Sequence, residues 1–134
     1  MLGTAPVWIG RDWPVLIVIV ALFFAGMGVF GLVAPAALVR PFGIVPATAE
    51  GRSEVRAVYG GFGVAIAALL FVALAQAPEL RRGVVPAVAV ALLGMAFGRL
   101  VSRLIERPAG FYPVWFYFWV ELVAAGALLA GVVD

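Results

Sequence analysis

Apolar residues run through this chain in four long blocks, separated by short stretches where prolines, arginines and glutamates gather. A helix crossing the ~30 Å hydrocarbon core of a bilayer needs roughly 20 mostly apolar residues, each rising about 1.5 Å. Segments of that length lie at about 14–33, 57–77, 84–103 and 113–133. Pro14 suits a first helical turn, Pro35 and Pro78 stop the first and second spans, and Pro86 is tolerable in the opening turn of the third. Because backbone groups in lipid must bond one another, such runs are helices rather than open strands. The pattern predicts an all-α membrane protein, a four-transmembrane-helix bundle forming a single domain over residues 1–134. Both termini then lie on one side of the membrane, and the loops at 34–53 and 104–112 on the other. The "APA" at 34–36 imitates a signal-peptidase site, but the apolar run before it exceeds the roughly 7–15 residues of a signal core.

Composition strengthens this picture. Of 134 residues 66% are hydrophobic and 12% charged, and the mean hydropathy is +1.17; a soluble domain is roughly 45–50% apolar and about 25% charged. The net charge of +2 comes from arginines scattered between apolar runs, which is no basic patch for nucleic acid. Without cysteine or histidine there are no thiolate or imidazole ligands, and the carboxylates are too few on any one face to cage a hard cation. No metal or cofactor is expected. Trp8 and Trp13 flank the first span, and Tyr112, Trp115 and Trp119 mark the start of the fourth, as interfacial anchors do. Arginine counts favour the loop side as cytoplasmic, with Arg40, Arg52, Arg103 and Arg107 there against Arg11, Arg81 and Arg82. Gly94 with Gly98, Gly61 with Ala65, and Gly126 with Ala130 have the spacing that lets helices pack closely. Packing within the chain is the first reading of these pairs, and a dimer interface the second.

The charges inside the apolar blocks carry the candidate chemistry. At about 100° per residue, Arg99, Ser102, Arg103 and Glu106 share one helix face. Glu121 sits about eight residues, roughly 12 Å, inside the fourth span. Its face holds Val114, Tyr117, Phe118, Ala124, Ala125 and Leu128, whereas Trp115, Phe116, Trp119 and Leu122 lie elsewhere. A carboxylate at that depth costs on the order of 3 kcal/mol unless paired or protonated, and Arg99 is the nearest partner. At the second helix Arg52, Arg56, Tyr59 and Gly63 fall on one face and Glu54 roughly opposite, while Gly60 and Gly61 would let a helix or ligand approach the backbone. Arg56, Tyr59, Arg99, Ser102 and Glu121 are thus placed to line one polar pocket, with Glu54, Gly60, Gly61 and Arg103 as secondary candidates. The competing reading is that such residues anchor helices at the interface or fix their register. Anchoring is the simpler account of Arg52, Arg103, Glu106 and Arg107, whereas intramembrane ionisable groups mark function.

The run "RSEVRAVYGG", followed by "GRLVSRLIER" and then a glutamate in the last span, resembles a family of small bacterial membrane proteins, domain-of-unknown-function family 4345. The resemblance implies a four-span bundle in a bacterial inner (plasma) membrane. It also implies that Glu54, Arg56, Tyr59, Gly60, Gly61, Arg99 and Glu121 hold the family's polar positions. It supplies no activity.

Two functions remain open. One is binding of a membrane lipid or another lipophilic small molecule with a polar or anionic head, held by charge-assisted bonds from arginine. If chemistry occurs there, Glu121 is the catalytic candidate as general acid or base, with Tyr59 as donor. The alternative is a structural or accessory subunit of a membrane protein complex, partnered by a second copy or another membrane protein. A proton or ion pathway is a lesser option, since four short helices leave little room for a pore.

Overall fold

The computed structural model describes residues 7–75, 78–107 and 110–131, with side chains from residue 13 onward. Helix α1, Val7–Val33, ends where Ala34 leaves the helical region at φ −136°, ψ 67°, as the residue before a proline tends to. Pro35 then opens a short helix, α2, Pro35–Val39, because its fixed φ and missing N–H fit a first turn. A 3-10 turn over Arg40–Phe42 follows, closed by Gly43 at φ +74°, a left-handed conformation that glycine adopts without steric cost. Helix α3, Ala49–Val55, starts at Thr48, whose hydroxyl accepts from the Gly51 N–H at 3.0 Å. It continues through a π-helical turn, Arg56–Gly61, into α4, Phe62–Ala75. Helix α5 covers Pro78–Ile105 and α6 Val114–Ala130. No strand occurs among the described residues.

Three of these rods are long and apolar enough to cross a membrane: α1 from Trp13, the continuous Ala49–Ala75 rod, and α5. The fourth, α6, is apolar and 17 residues long, about 26 Å. Their outer surfaces expose large apolar side chains such as Leu22, Val29, Val72, Val90, Phe97 and Val123. In water this would be an aggregation surface; against lipid tails it costs nothing.

Within the bundle α1 packs chiefly on α4, and α5 chiefly on α6. The dry core joins both pairs through Ile17, Val20, Ala21 and Phe24 of α1, Ala67 and Leu70 of α4, Val85 to Leu92 of α5, and Ala125 and Leu128 of α6. The α1–α4 contact is a glycine seam. A Cβ on Gly63 would sit 2.8 Å from the Gly28 Cα, and one on Gly60 2.9 Å from the Leu32 backbone nitrogen. Backbones meet there because no side chain stands between them.

Several boundaries differ from the hydropathy pattern. The second rod starts at residue 49 rather than 57, and the third at 78 rather than 84. Hydropathy cannot see the charged first turns that Thr48 caps and Pro78 initiates. Pro14 and Pro86 consequently lie inside helices rather than at their starts. The loop expected at 34–53 carries helical structure of its own: α2 buries Pro35 and Val39, and α3 occupies its end. The expected glycine pairs are not the packing seam: Gly61, Ala65, Gly94, Gly98 and Gly126 are exposed, and an added Cβ at Gly94, Gly98 or Gly126 meets nothing within 4 Å. The spacing was right for close packing, but spacing alone does not say which face turns inward. The expected span ends at 77 and 133, and the side chains of Trp8 and Arg11, lie outside the described residues.

Gly63→Ala is expected to destabilise the detergent-solubilised protein by roughly 1–3 kcal/mol, the usual cost of overpacking. Gly94→Ala should leave stability unchanged or raise it by up to about 1 kcal/mol through helix propensity. Thermal unfolding followed by circular dichroism separates the two outcomes.

Candidate functional site

The site forms where α1 and α5 finish and the second rod and α6 begin. Glu121 projects inward from α6 and is only 4% exposed, the one charged residue in the buried set among the described residues. Phe118, Ala125 and Leu128 share its buried face, while Phe116 and Trp119 point outward, as the helical wheel predicts. Arg99 reaches it from α5 in a bidentate pair. Its Nε donates to Oε1 and its Nη2 to Oε2, each at 2.9 Å, with side-chain exposures of 21% and 5% for arginine and glutamate. Two parallel charge-assisted bonds of this length are the strongest arrangement open to these groups, and they offset the penalty of a lone buried charge.

Two aromatic rings flank the guanidinium together on one side. Its carbon lies 5.8 Å from the centroids of both Phe42 and Tyr117, and those two rings are 5.6 Å apart. Attraction between cation and ring face adds to the pair. Tyr112 stands 6.2 Å from Tyr117. The 3-10 turn is therefore a roof, carrying Phe42 over a helix pair distant in sequence.

Beneath that roof α1, α5 and α6 line a partly open cavity of about 400 Å³, a size typical of small-molecule sites, which run ~300–1,000 Å³. Phe30 and Met27 of α1, Met95 of α5 and Leu38 of α2 make its apolar walls, and Gly26 lines it without a side chain. All three tyrosines of the chain, Tyr59, Tyr112 and Tyr117, face it together with Arg99 and Glu121. Grooves of about 610 and 520 Å³ elsewhere are lined almost wholly by apolar side chains, with Glu79 at the edge of the first. No group of three or more His, Cys, Asp or Glu converges among the described residues.

Of the residues the sequence nominates, the structure gathers Tyr59, Arg99 and Glu121 around this cavity. Ser102 and Arg103 are not at it. They lie on an exposed final turn of α5 that projects past the bundle, where neighbouring Leu104 is 86% exposed. Arg56 is exposed and donates from Nε to the Leu32 carbonyl at 3.1 Å, tying the second rod to the end of α1. Glu54 and Gly61 are exposed away from the cavity, and Gly60 is buried against α1 in the glycine seam. The face assignment fails on this rod because the π turn at Arg56–Gly61 absorbs one extra residue and breaks the regular 100° step.

Sequence reasoning missed Tyr112, Tyr117, Phe42, Met27 and Met95 as site residues. Tyr117 lies one turn before Glu121 on the same face, which was a usable signal. For Phe42 the signal was the apolar character of "AALVRPF" at 36–42, out of place in a solvated linker. At the opposite end, the Arg81 guanidinium sits 4.3 Å from the Trp13 ring centroid, joining the start of α5 to α1.

Fold and site together define an all-helical protein of membrane type, with an ion-paired, aromatic-walled cavity near one end of its bundle. The chain belongs to the family described as Domain of unknown function (DUF4345), whose sequence model matches residues 14–132, nearly the whole chain. No curated protein and no solved structure matches it.

Removing one partner should strand the other inside the bundle. Arg99→Met is expected to cost about 3 kcal/mol of stability, whereas Arg99→Met combined with Glu121→Leu should return to within about 1 kcal/mol of the parent, since apolar replacement of a whole buried pair is close to neutral. A double-mutant cycle on unfolding in mixed detergent measures both.

Proposed function

We propose that this is a multi-pass protein of the bacterial inner membrane that binds a lipophilic small molecule with a polar or anionic head in the cavity at Arg99 and Glu121. In this reading all four rods span the bilayer, both termini share one side, and the cavity opens near the other face. The observation that carries it is the coincidence of groups: the buried carboxylate, its arginine and every tyrosine of the chain meet at one cavity of about 400 Å³. A pair that served only to fix two helices would need no such space beside it and no aromatic roof.

The cavity is amphipathic along its length. Arg99, Glu121 and the phenols stand toward the roof, where the helices begin and end. Leu92, Phe24 and Ala124 lie deeper, toward the dry core. A molecule with a polar head and an apolar tail matches that gradient, head under Phe42 and tail between α1 and α6. Both Glu121 oxygens accept from Arg99, which favours binding over proton transfer as the role of this carboxylate.

Gly26 provides a direct test, because a Cβ there meets nothing within 4 Å although the residue lines the cavity. Gly26→Leu should fill the space without disturbing the ion pair. Native mass spectrometry of the protein extracted in mild detergent is expected to show a small molecule retained by the parent and lost from Gly26→Leu and from Arg99→Ala. If nothing small is retained, and Arg99→Ala loses only stability or a protein partner, the cavity is packing slack and the accessory-subunit reading replaces this one.

A further inference from the structure

The proposed ligand site leaves the charge of the head unspecified, and the arrangement around Arg99 specifies it. Resting on that reading, we infer that the cavity selects an uncharged, planar carbonyl head, of the quinone or cyclic enone class on a lipophilic tail, over carboxylate, phosphate or ammonium heads.

Charge comes first. Arg99 is not an available cation, since Nε and Nη2 are committed to the two Glu121 oxygens at 2.9 Å each. An anionic head drawn to the free Nη1 meets a guanidinium whose charge is already offset by the carboxylate on its other edge. The remaining attraction is that of a neutralised pair, set against the full cost of taking the anion out of water. An ammonium head meets the same neutralised pair with signs reversed. An uncharged head carries no such cost.

Hydrogen-bonding capacity points the same way. Arg99 Nη1 has no protein partner among the described residues, and neither does the Tyr59 hydroxyl. An arginine nitrogen only donates, and a phenol donates readily. The Glu121 carboxylate has lone pairs left, but both its oxygens already face the Arg99 fork, whereas Nη1 and the Tyr59 hydroxyl are uncommitted. What the site has to spare is donors, so the complementary head is an acceptor, and a carbonyl oxygen accepts without carrying charge.

Shape narrows the class further. Phe42 and Tyr117 form one aromatic wall beside the guanidinium, with Met27 and Met95 on the cavity walls. Aromatic faces and polarizable thioethers are favourable neighbours for a flat ring, whereas a tetrahedral phosphate gains nothing from them.

Three probes of matched tail length decide the matter by native mass spectrometry titration: decylbenzoquinone, undecanoate and decyltrimethylammonium. The parent is expected to bind decylbenzoquinone at least about tenfold more tightly than either ion, and Gly26→Leu to abolish that binding. Glu121→Gln uncovers the arginine charge and should strengthen undecanoate binding by about tenfold. If undecanoate or decyltrimethylammonium binds the parent as tightly as the quinone and is still lost in Gly26→Leu, the cavity remains a ligand site and the uncharged-head assignment is wrong. If no probe binds, or Gly26→Leu changes nothing, the cavity reading itself falls and this inference with it. Should Glu121→Gln fail to fold, the ranking of the three probes on the parent protein decides alone.

Discussion

A carboxylate placed inside an oily bundle must be neutralised, and the rest of the site follows from how this chain does it. Glu121 is buried in the bundle from the middle of α6, so an unpaired charge there would cost on the order of 3 kcal/mol. Arg99 answers from α5 with a planar fork that meets both oxygens at once. That geometry demands a particular register between α5 and α6, because a bidentate pair tolerates little sliding. The guanidinium is in turn large and flat, and needs faces beside it that are neither lipid nor water. Phe42 and Tyr117 supply them, which explains why the segment after α1 folds back over the bundle instead of running free.

The bundle is less uniform than four evenly packed rods. Close contact is concentrated in two pairs, α1 with α4 along the glycine seam and α5 with α6 along the Glu121 face. Between the pairs the packing is looser, and the concavities lie there: one groove between α4 and α5, one between α1 and α6, and the polar cavity among α1, α5 and α6. The core residues from Ile17 to Leu128 hold the pairs together at the other end. The polar cavity lies where α1 and α5 finish, and the apolar core fills the bundle beyond it, so among the described residues these polar groups form a local cluster rather than a path along the helices.

How much of this was legible in the sequence depended on regular helical geometry. On α6 the 100° step holds throughout, so Glu121, Phe118 and Leu128 were assignable to one inward face from spacing alone. On α5 it also held, but spacing carries no information on where the bundle stops. Ser102 and Arg103 therefore shared a predicted stripe with Arg99 yet lie on a turn with no neighbour to face. The glycine pairs failed for a related reason: the motif at Gly94 and Gly98 is real, but those positions look outward, and the working seam pairs Gly28 and Gly31 with Gly60 and Gly63, on two different helices. For Phe42 the apolar run hinted at burial but not at its place, because that comes from a fold-back set by Pro35 and Gly43, a tertiary event that hydropathy reads as loop.

The π turn shows why one local irregularity mattered more than any other. Gly63 follows Val55 by eight positions; in a regular helix the two would point about 80° apart, whereas one residue absorbed by the turn leaves them about 20° apart. Both are buried. The irregularity is what lets the second rod press one continuous face on its neighbours, with Val55 at its start and Gly63, Ala67 and Leu70 further along. It also separates Arg56 from Tyr59, which a regular wheel places together. Arg56 turns to the Leu32 carbonyl at the end of α1, and Tyr59 turns to the cavity. A chain that kept perfect helical periodicity here would have had to choose between the glycine seam and the tyrosine, and the extra residue removes the choice.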